Sequence, residues 1–186
     1  MILKGDYIMK GKKILGDERR ELILNWLKTS GVPITGSELA SKTNVSRQII
    51  VGDITLLKAK NEPIIATSQG YLYMKQAGNI NRVERTVACI HSPDRTEEEL
   101  LLLVNLGVTV VDVKIEHAVY GDLTASIMVS NPVEVKQFVE KVNSTKASYL
   151  SELTNGIHLH TLSATSEEDL DKAEIMLKEH GFLLNK

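Results

Sequence analysis

From Asp17 to Lys75 the apolar residues keep one rhythm three times over and then change it. Leu22, Ile23, Trp26 and Leu27 recur at three-to-four spacing until Gly31, which predicts an amphipathic helix opened by Asp17-Glu18. Val32-Pro33-Ile34-Thr35 is extended, as a residue before proline prefers. Gly36-Ser37 begins a short helix, Glu38 to Lys42, with Ser37 as its expected N-cap. Thr43-Asn44 turns the chain. Ser46 then caps a third helix with Ile49, Ile50, Ile54 and Leu57 on one face. After Lys60-Asn61-Glu62-Pro63 the period drops to that of strands. Two β-like runs, Ile64 to Thr67 and Tyr71 to Met74, flank Gln69-Gly70 as a hairpin turn.

Three helices followed by a hairpin is the order of a winged helix-turn-helix, in which the N-terminal residues of the third helix meet base edges in the major groove. That picks out Ser46, Arg47 and Gln48. Arg bonds guanine bidentately, Gln does the same to adenine, and Ser suits a base or a phosphate. Thr35 and Ser37, with Thr67 and Ser68 in the wing, are expected at phosphates. The expected DNA-binding domain is 17–78. Residues 1–16 lack periodicity and are expected to form a flexible arm, or to hold an alternative start before Met9.

The charge supports this division. Residues 1–82 carry 13 Lys+Arg against 7 Asp+Glu, whereas residues 83–186 carry 9 against 17. A basic part that meets a polyanion is thus joined to an acidic part that does not. No apolar run approaches the roughly 18 residues that span a bilayer. With one cysteine, Cys89, and no signal peptide, the expected setting is a reducing cytoplasm, away from membranes.

The second part reads as strand, helix, two strands, helix, strand, helix and a short last strand, Phe182 to Leu184. With the winged helix, this predicts an α+β protein whose second domain, 83–184, is an α/β sandwich on a small, mostly antiparallel sheet. In Ile157-His158-Leu159-His160 the two histidines project from one strand face and make half of a transition-metal site. His91 sits at the end of the first strand, before Pro93 breaks it, a place where sites are often built. The next helix offers Glu97, Glu98 and Glu99. Asn105 marks its solvent face and turns Glu98 outward, but periodicity does not separate Glu97 from Glu99. His117 is expected at the surface, His180 at a helix C-terminus, and Cys89 as a small buried residue before a soft ligand.

Ser37-Glu38-Leu39-Ala40, Asn44-Val45-Ser46-Arg47-Gln48, Asp53-Ile54 with Leu56-Leu57-Lys58, and Gly70-Tyr71-Leu72 resemble the winged helix of biotin-repressor-type bacterial regulators. His91-Ser92-Pro93, Glu99, Val119-Tyr120-Gly121-Asp122 and Gly156-Ile157-His158-Leu159-His160-Thr161 resemble the three-histidine (3H) domain. The two in this order resemble the NiaR (YrxA) repressors of bacterial NAD biosynthesis and niacin uptake. The resemblance implies a divalent metal held by His91, Glu99, His158 and His160, with nicotinic acid as co-repressor. A co-repressor that orders the acidic part is expected to favour a homodimer on a palindromic double-stranded operator, its two recognition helices one DNA turn apart. One departure is Ala118, where the family often has proline.

Such a donor set suits Zn, Ni, Fe or Mn. An octahedral ion would keep two positions open, and a pyridine nitrogen could take one. The carboxylate of nicotinate would then need a cation or backbone N–H groups nearby. Two rival readings remain: a repressor for which the metal itself is the signal, and a metal-dependent enzyme fused to a winged helix. The enzyme is disfavoured because no nucleotide loop follows the winged helix and four protein ligands leave little room for chemistry.

Overall fold

The computed structural model describes residues 14–74 and 82–184. Residues 1–13, which make up most of the expected arm, and residues 75–81, which include the end of the expected DNA-binding domain, lie outside the described residues. The chain divides into two compact units.

In the first unit, α1 (Gly16–Ser30), α2 (Gly36–Thr43) and α3 (Arg47–Ala59) precede a hairpin of β1 (Ile64–Ala66) and β2 (Tyr71–Tyr73). The cap of α2 differs from expectation. Thr35, not Ser37, is the N-cap, its hydroxyl accepting the Glu38 N–H at 3.1 Å. Thr35 is the last extended residue after Pro33, so its side chain reaches back over the first turn and Ser37 falls inside the helix. Asn44 ends α2 in the left-handed conformation and Ser46 caps α3 through the Ile49 N–H. Ile34 exchanges both backbone hydrogen bonds with Tyr71, adding a third short segment to the wing. Gly70 permits this contact, because a Cβ there would lie 2.5 Å from the Ile34 carbonyl oxygen.

Ile23, Leu27, Leu39, Ile50, Ile54 and Leu57 fill the core between the helices. Beside them runs a buried ion pair. Arg19 Nε donates to Asp53 Oδ2 at 2.6 Å, its Nη2 donates to Oδ1 at 3.2 Å, and Arg20 adds a third bond at 3.1 Å, so α1 is tied to α3.

The second unit comprises β3 (Val83–Ile90), α4 (Thr96–Asn105), β4 (Thr109–His117), β5 (Gly121–Val129), α5 (Pro132–Thr145), β6 (Ile157–Ala164) and α6 (Glu167–Glu179). Short 3-10 turns at Pro93–Arg95 and Leu150–Thr154 precede α4 and β6. The sheet order is β3-β6-β4-β5, with every neighbouring pair antiparallel. Residues of α4, α5 and α6 share one apolar cluster with Val87, Cys89, Val110, Ile127, Leu162 and Ala164 of the sheet. The opposite side of β6 leaves Ile157 and Leu159 exposed. The expected last strand does not form: Leu183 makes only an isolated bridge to Cys89, while Phe182 is buried in the cluster. Among the described residues, no helix is long and apolar enough to cross a membrane.

Candidate metal and effector site and nucleic-acid interface

The order of the sheet decides where the histidines meet. β6 lies between β3 and β4, so its inward residues His158 and His160 stand beside the end of β3, where the chain leaves the sheet at His91. Glu99 approaches from α4, on the stripe Thr96, Glu99, Leu100, Leu103 that this helix buries. Glu97 and Glu98 are exposed. The choice that periodicity left open thus falls on Glu99.

Glu99 Oε2 lies 2.8 Å from His91 Nε2, 3.2 Å from His160 Nε2 and 3.5 Å from His158 Nε2. The Nε2 atoms of His158 and His160 are 3.1 Å apart. All four side chains are buried: His91 is 8 %, Glu99 0 %, His158 3 % and His160 3 % exposed.

Each imidazole is held by its other nitrogen. Nδ1 of His91 meets Ser92 O at 2.8 Å, that of His158 meets Gly156 O at 2.8 Å, and that of His160 meets Asp112 O at 2.7 Å. A carbonyl oxygen only accepts, so each Nδ1 carries a proton and each Nε2 is turned inward, an N–H when the ring is protonated and a bare lone pair when it is neutral. With all three rings neutral, three lone pairs and a carboxylate oxygen would face one another in a buried space. Such a cluster needs positive charge, from protons or from a cation. Backbone carbonyls behind each imidazole are the outer support that metal-binding histidines use.

Electrostatics carry the same message. Burial works against charge on His91, yet the hydrogen bond and charge of Glu99 raise its pKa above the ordinary imidazole value. His160 is raised too: burial opposes, and the Glu99 charge prevails. Burial also opposes ionisation of Glu99, but His160 and the hydrogen bonds from all three rings hold it well below the usual carboxylate range.

Cys89 is nearby, its sulfur within 4.8 Å of donor atoms of Glu99 and His158. Burial, then the Glu99 charge, pushes its pKa up in the absence of a metal. His117 lies apart, its Nδ1 accepting the N–H groups of Val119 and Tyr120 in the β4–β5 turn. His180 caps α6, its Nδ1 2.9 Å from Met176 O.

Sequence reasoning did not find the space beside the cluster. A cavity of about 330 Å³ is lined by all four side chains and by Thr96, Leu100, Val113, Ile127, Phe138, Val142, Tyr149 and Leu153 among others. Roughly 150 Å³ already admits a benzene ring. The 3-10 turn Leu150–Thr154 forms one wall, and the apolar spacing Tyr149, Leu150, Leu153 is its faint trace in the sequence. Among the described residues, two buried side-chain oxygens have no hydrogen-bond partner: Thr96 Oγ1 and Glu99 Oε1. Both belong to residues lining this cavity.

In the first unit, Ser46, Arg47 and Gln48 are exposed at the N-terminus of α3, and Thr35 and Ser37 are exposed at that of α2. These five residues share one end of the helix pair. A Cβ on Gly36 would lie 3.5 Å from Arg47 Nε, which places the guanidinium stem over the start of α2. Thr67 and Ser68 lie between β1 and β2. Further along α3, Val51, Gly52 and Thr55 continue the exposed face. Sequence reading passed over them, although three-to-four spacing from Gln48 marks that side.

A winged helix with its recognition helix exposed, joined to a separate α+β domain, defines a DNA-binding transcription regulator. The 3H domain family matches residues 84–186, and an HTH domain family matches residues 19–72. The chain is 60 % identical over 173 residues to Transcription repressor NadR of Bacillus subtilis (strain 168), covering 92 % of this chain and 96 % of that protein. It is 40 % identical over 174 residues to Probable transcription repressor NiaR of Thermotoga maritima, covering 94 % and 98 %. The chain belongs to the NadR/NiaR family of transcription repressors.

Proposed function

We propose that this repressor answers to a small molecule through a metal: His91, Glu99, His158 and His160 hold one divalent transition ion, and nicotinic acid enters the adjoining cavity as co-repressor. The observation that carries this reading is the tautomer lock. Three Nδ1 atoms facing carbonyls leave three Nε2 lone pairs converging on Glu99, an arrangement that one divalent ion satisfies and three neutral rings alone do not. Zn, Ni, Fe and Mn all accept such donors. When bound, the ion supplies a fixed positive centre and an attachment point for a ligand donor atom.

The chain's own residues do the rest. The apolar walls exclude water from a planar ring, while Ser46, Arg47 and Gln48 read bases and Thr35 and Ser37 meet phosphates. Effector occupancy favours a homodimer whose two recognition helices fit half-sites about 34 Å apart on a palindromic operator. The genes under that operator serve NAD biosynthesis and niacin uptake. A ligand shifts such an equilibrium only by its difference in affinity for the two states.

The test is an operator titration with metal-loaded and chelator-treated protein, each with and without nicotinate. Tightening by nicotinate in the loaded protein alone is expected. Equal affinity with and without it overturns the co-repressor assignment, and affinity that follows the ion regardless of nicotinate makes the metal the signal.

A further inference from the structure

We infer that the cavity takes an aromatic monocarboxylate acid end first, with the carboxylate at the buried His–Glu cluster, the Thr96 hydroxyl donating to it, and the ring in the apolar body beyond. This deepens the reading of the site as a metal-held effector site and rests on it. Three observations lead there.

The first is where charge can go. None of the residues lining the cavity is Lys or Arg, and all its His and Glu side chains belong to the single cluster of His91, Glu99, His158 and His160. The rest of the wall is mostly apolar, from Leu100 and Val113 to Phe138 and Leu153, and its polar groups besides Thr96 are the neutral hydroxyls of Ser148, Tyr149 and Ser151. A carboxylate on that side would lose its hydration for at most a neutral hydroxyl partner, a weaker return than a cation gives. A pyridine nitrogen turned toward the cluster would send the acid group to that wall. Turned the other way, the acid meets the only part of the cavity where a cation is expected.

The second is charge balance. Three neutral imidazoles and the Glu99 carboxylate around a divalent ion leave one net positive charge in a buried space. A monoanion cancels it; a neutral amide does not. The site therefore distinguishes an acid from its amide by charge before any contact is counted.

The third is the unpartnered hydroxyl. Thr96 is 8 % exposed, lines the cavity, and its Oγ1 has no hydrogen-bond partner. It precedes Glu99 by one helical turn on α4, so the two side chains are neighbours on the same face. A buried hydroxyl beside a cation site is a ready donor to one carboxylate oxygen, and a native structure rarely leaves such a group idle.

The experiment is calorimetric titration of the full-length protein, loaded with Ni(II) and its metal content measured, using nicotinate, benzoate, nicotinamide and 3-methylpyridine. Benzoate should bind within about tenfold of nicotinate, while nicotinamide and 3-methylpyridine should be weaker by about 100-fold or more. Thr96→Val, which keeps the shape, should weaken nicotinate about tenfold or more with metal content unchanged, and Thr96→Ser should restore it. If 3-methylpyridine matches nicotinate and benzoate fails, the ring nitrogen faces the ion: the orientation is overturned and the effector reading stands. If none of the four binds to metal-loaded protein, the effector reading falls and takes the orientation with it. Undiminished nicotinate binding by Thr96→Val removes the hydroxyl from the site.

Discussion

A methyl group on Gly156 would lie 2.2 Å from the His91 carbonyl oxygen, and the glycine's φ of +89° is one that other residues adopt only under strain. The same residue's carbonyl accepts from His158 Nδ1 at 2.8 Å and from the His91 backbone N–H at 3.4 Å. Gly156→Ala should therefore displace two donors at once, and elemental analysis should find metal content well below that of the parent protein. Gly52 presents the reverse case. It is exposed in the interior of α3 with nothing within 4 Å of an added Cβ. Gly52→Ala should stabilise the folded chain by about 0.5–1 kcal/mol in denaturant titrations. If that face enters the groove, as the reading of α3 as the recognition helix requires, the same substitution should weaken operator binding. A variant that gains stability and keeps full affinity would take Gly52 out of the interface. His158 and His160 could be paired from sequence because strand alternation needs no neighbours to be read. Glu99 could not be separated from Glu97, because the unbroken apolar run Leu100 to Val104 hides the phase of α4. Thr96 went unnoticed because an unpartnered hydroxyl exists only once its surroundings are built.

At the scale of elements, the helix ends were legible where one side chain decides them. Asn44 and Ser46 are such cases. Thr35 was misjudged in favour of Ser37 because both are good caps, and only the extended path set by Pro33 and the Ile34–Tyr71 pairing selects the earlier one. The ion pair between α1 and α3 also escaped sequence reading: 34 positions separate Arg19 from Asp53. Its loss has a clear sign. Asp53→Ala would leave Arg19 buried beside an empty acceptor position, at a cost of about 3–5 kcal/mol. The first unit should then melt at distinctly lower temperature, followed by circular dichroism. A change below about 1 kcal/mol would mean that solvent reaches Arg19 and replaces its partner.

Across the whole molecule, charge and protons link folding to the buried cluster. Without metal, His91 and His160 bind protons more readily folded than unfolded, since their pKa values stand above 6.5. Their contribution is complete below about pH 6.5 and is lost as pH rises through the folded values. Glu99, depressed below 4.5, contributes above that pH and loses its share as pH falls through the folded value. With metal bound the slope near neutrality reverses, because protons then compete with the ion for the same nitrogens. Thermal unfolding between pH 6 and 8 should therefore fall with pH in chelator and rise with pH in excess metal. Parallel slopes would show that the three imidazoles do not hold the ion.

The cavity has a consequence in time. All four donors are buried, and all four line that one space, so an ion and any molecule beside it share a way in. A ring seated there stands between the ion and the chelator that would remove it. Saturating nicotinate should slow metal loss to a chelator, measured by stopped-flow with a coloured indicator, and an unchanged rate would point to a second route. The effector would then act as a cork as well as a signal, and its abundance would set how long each repressor molecule keeps the ion it first acquired.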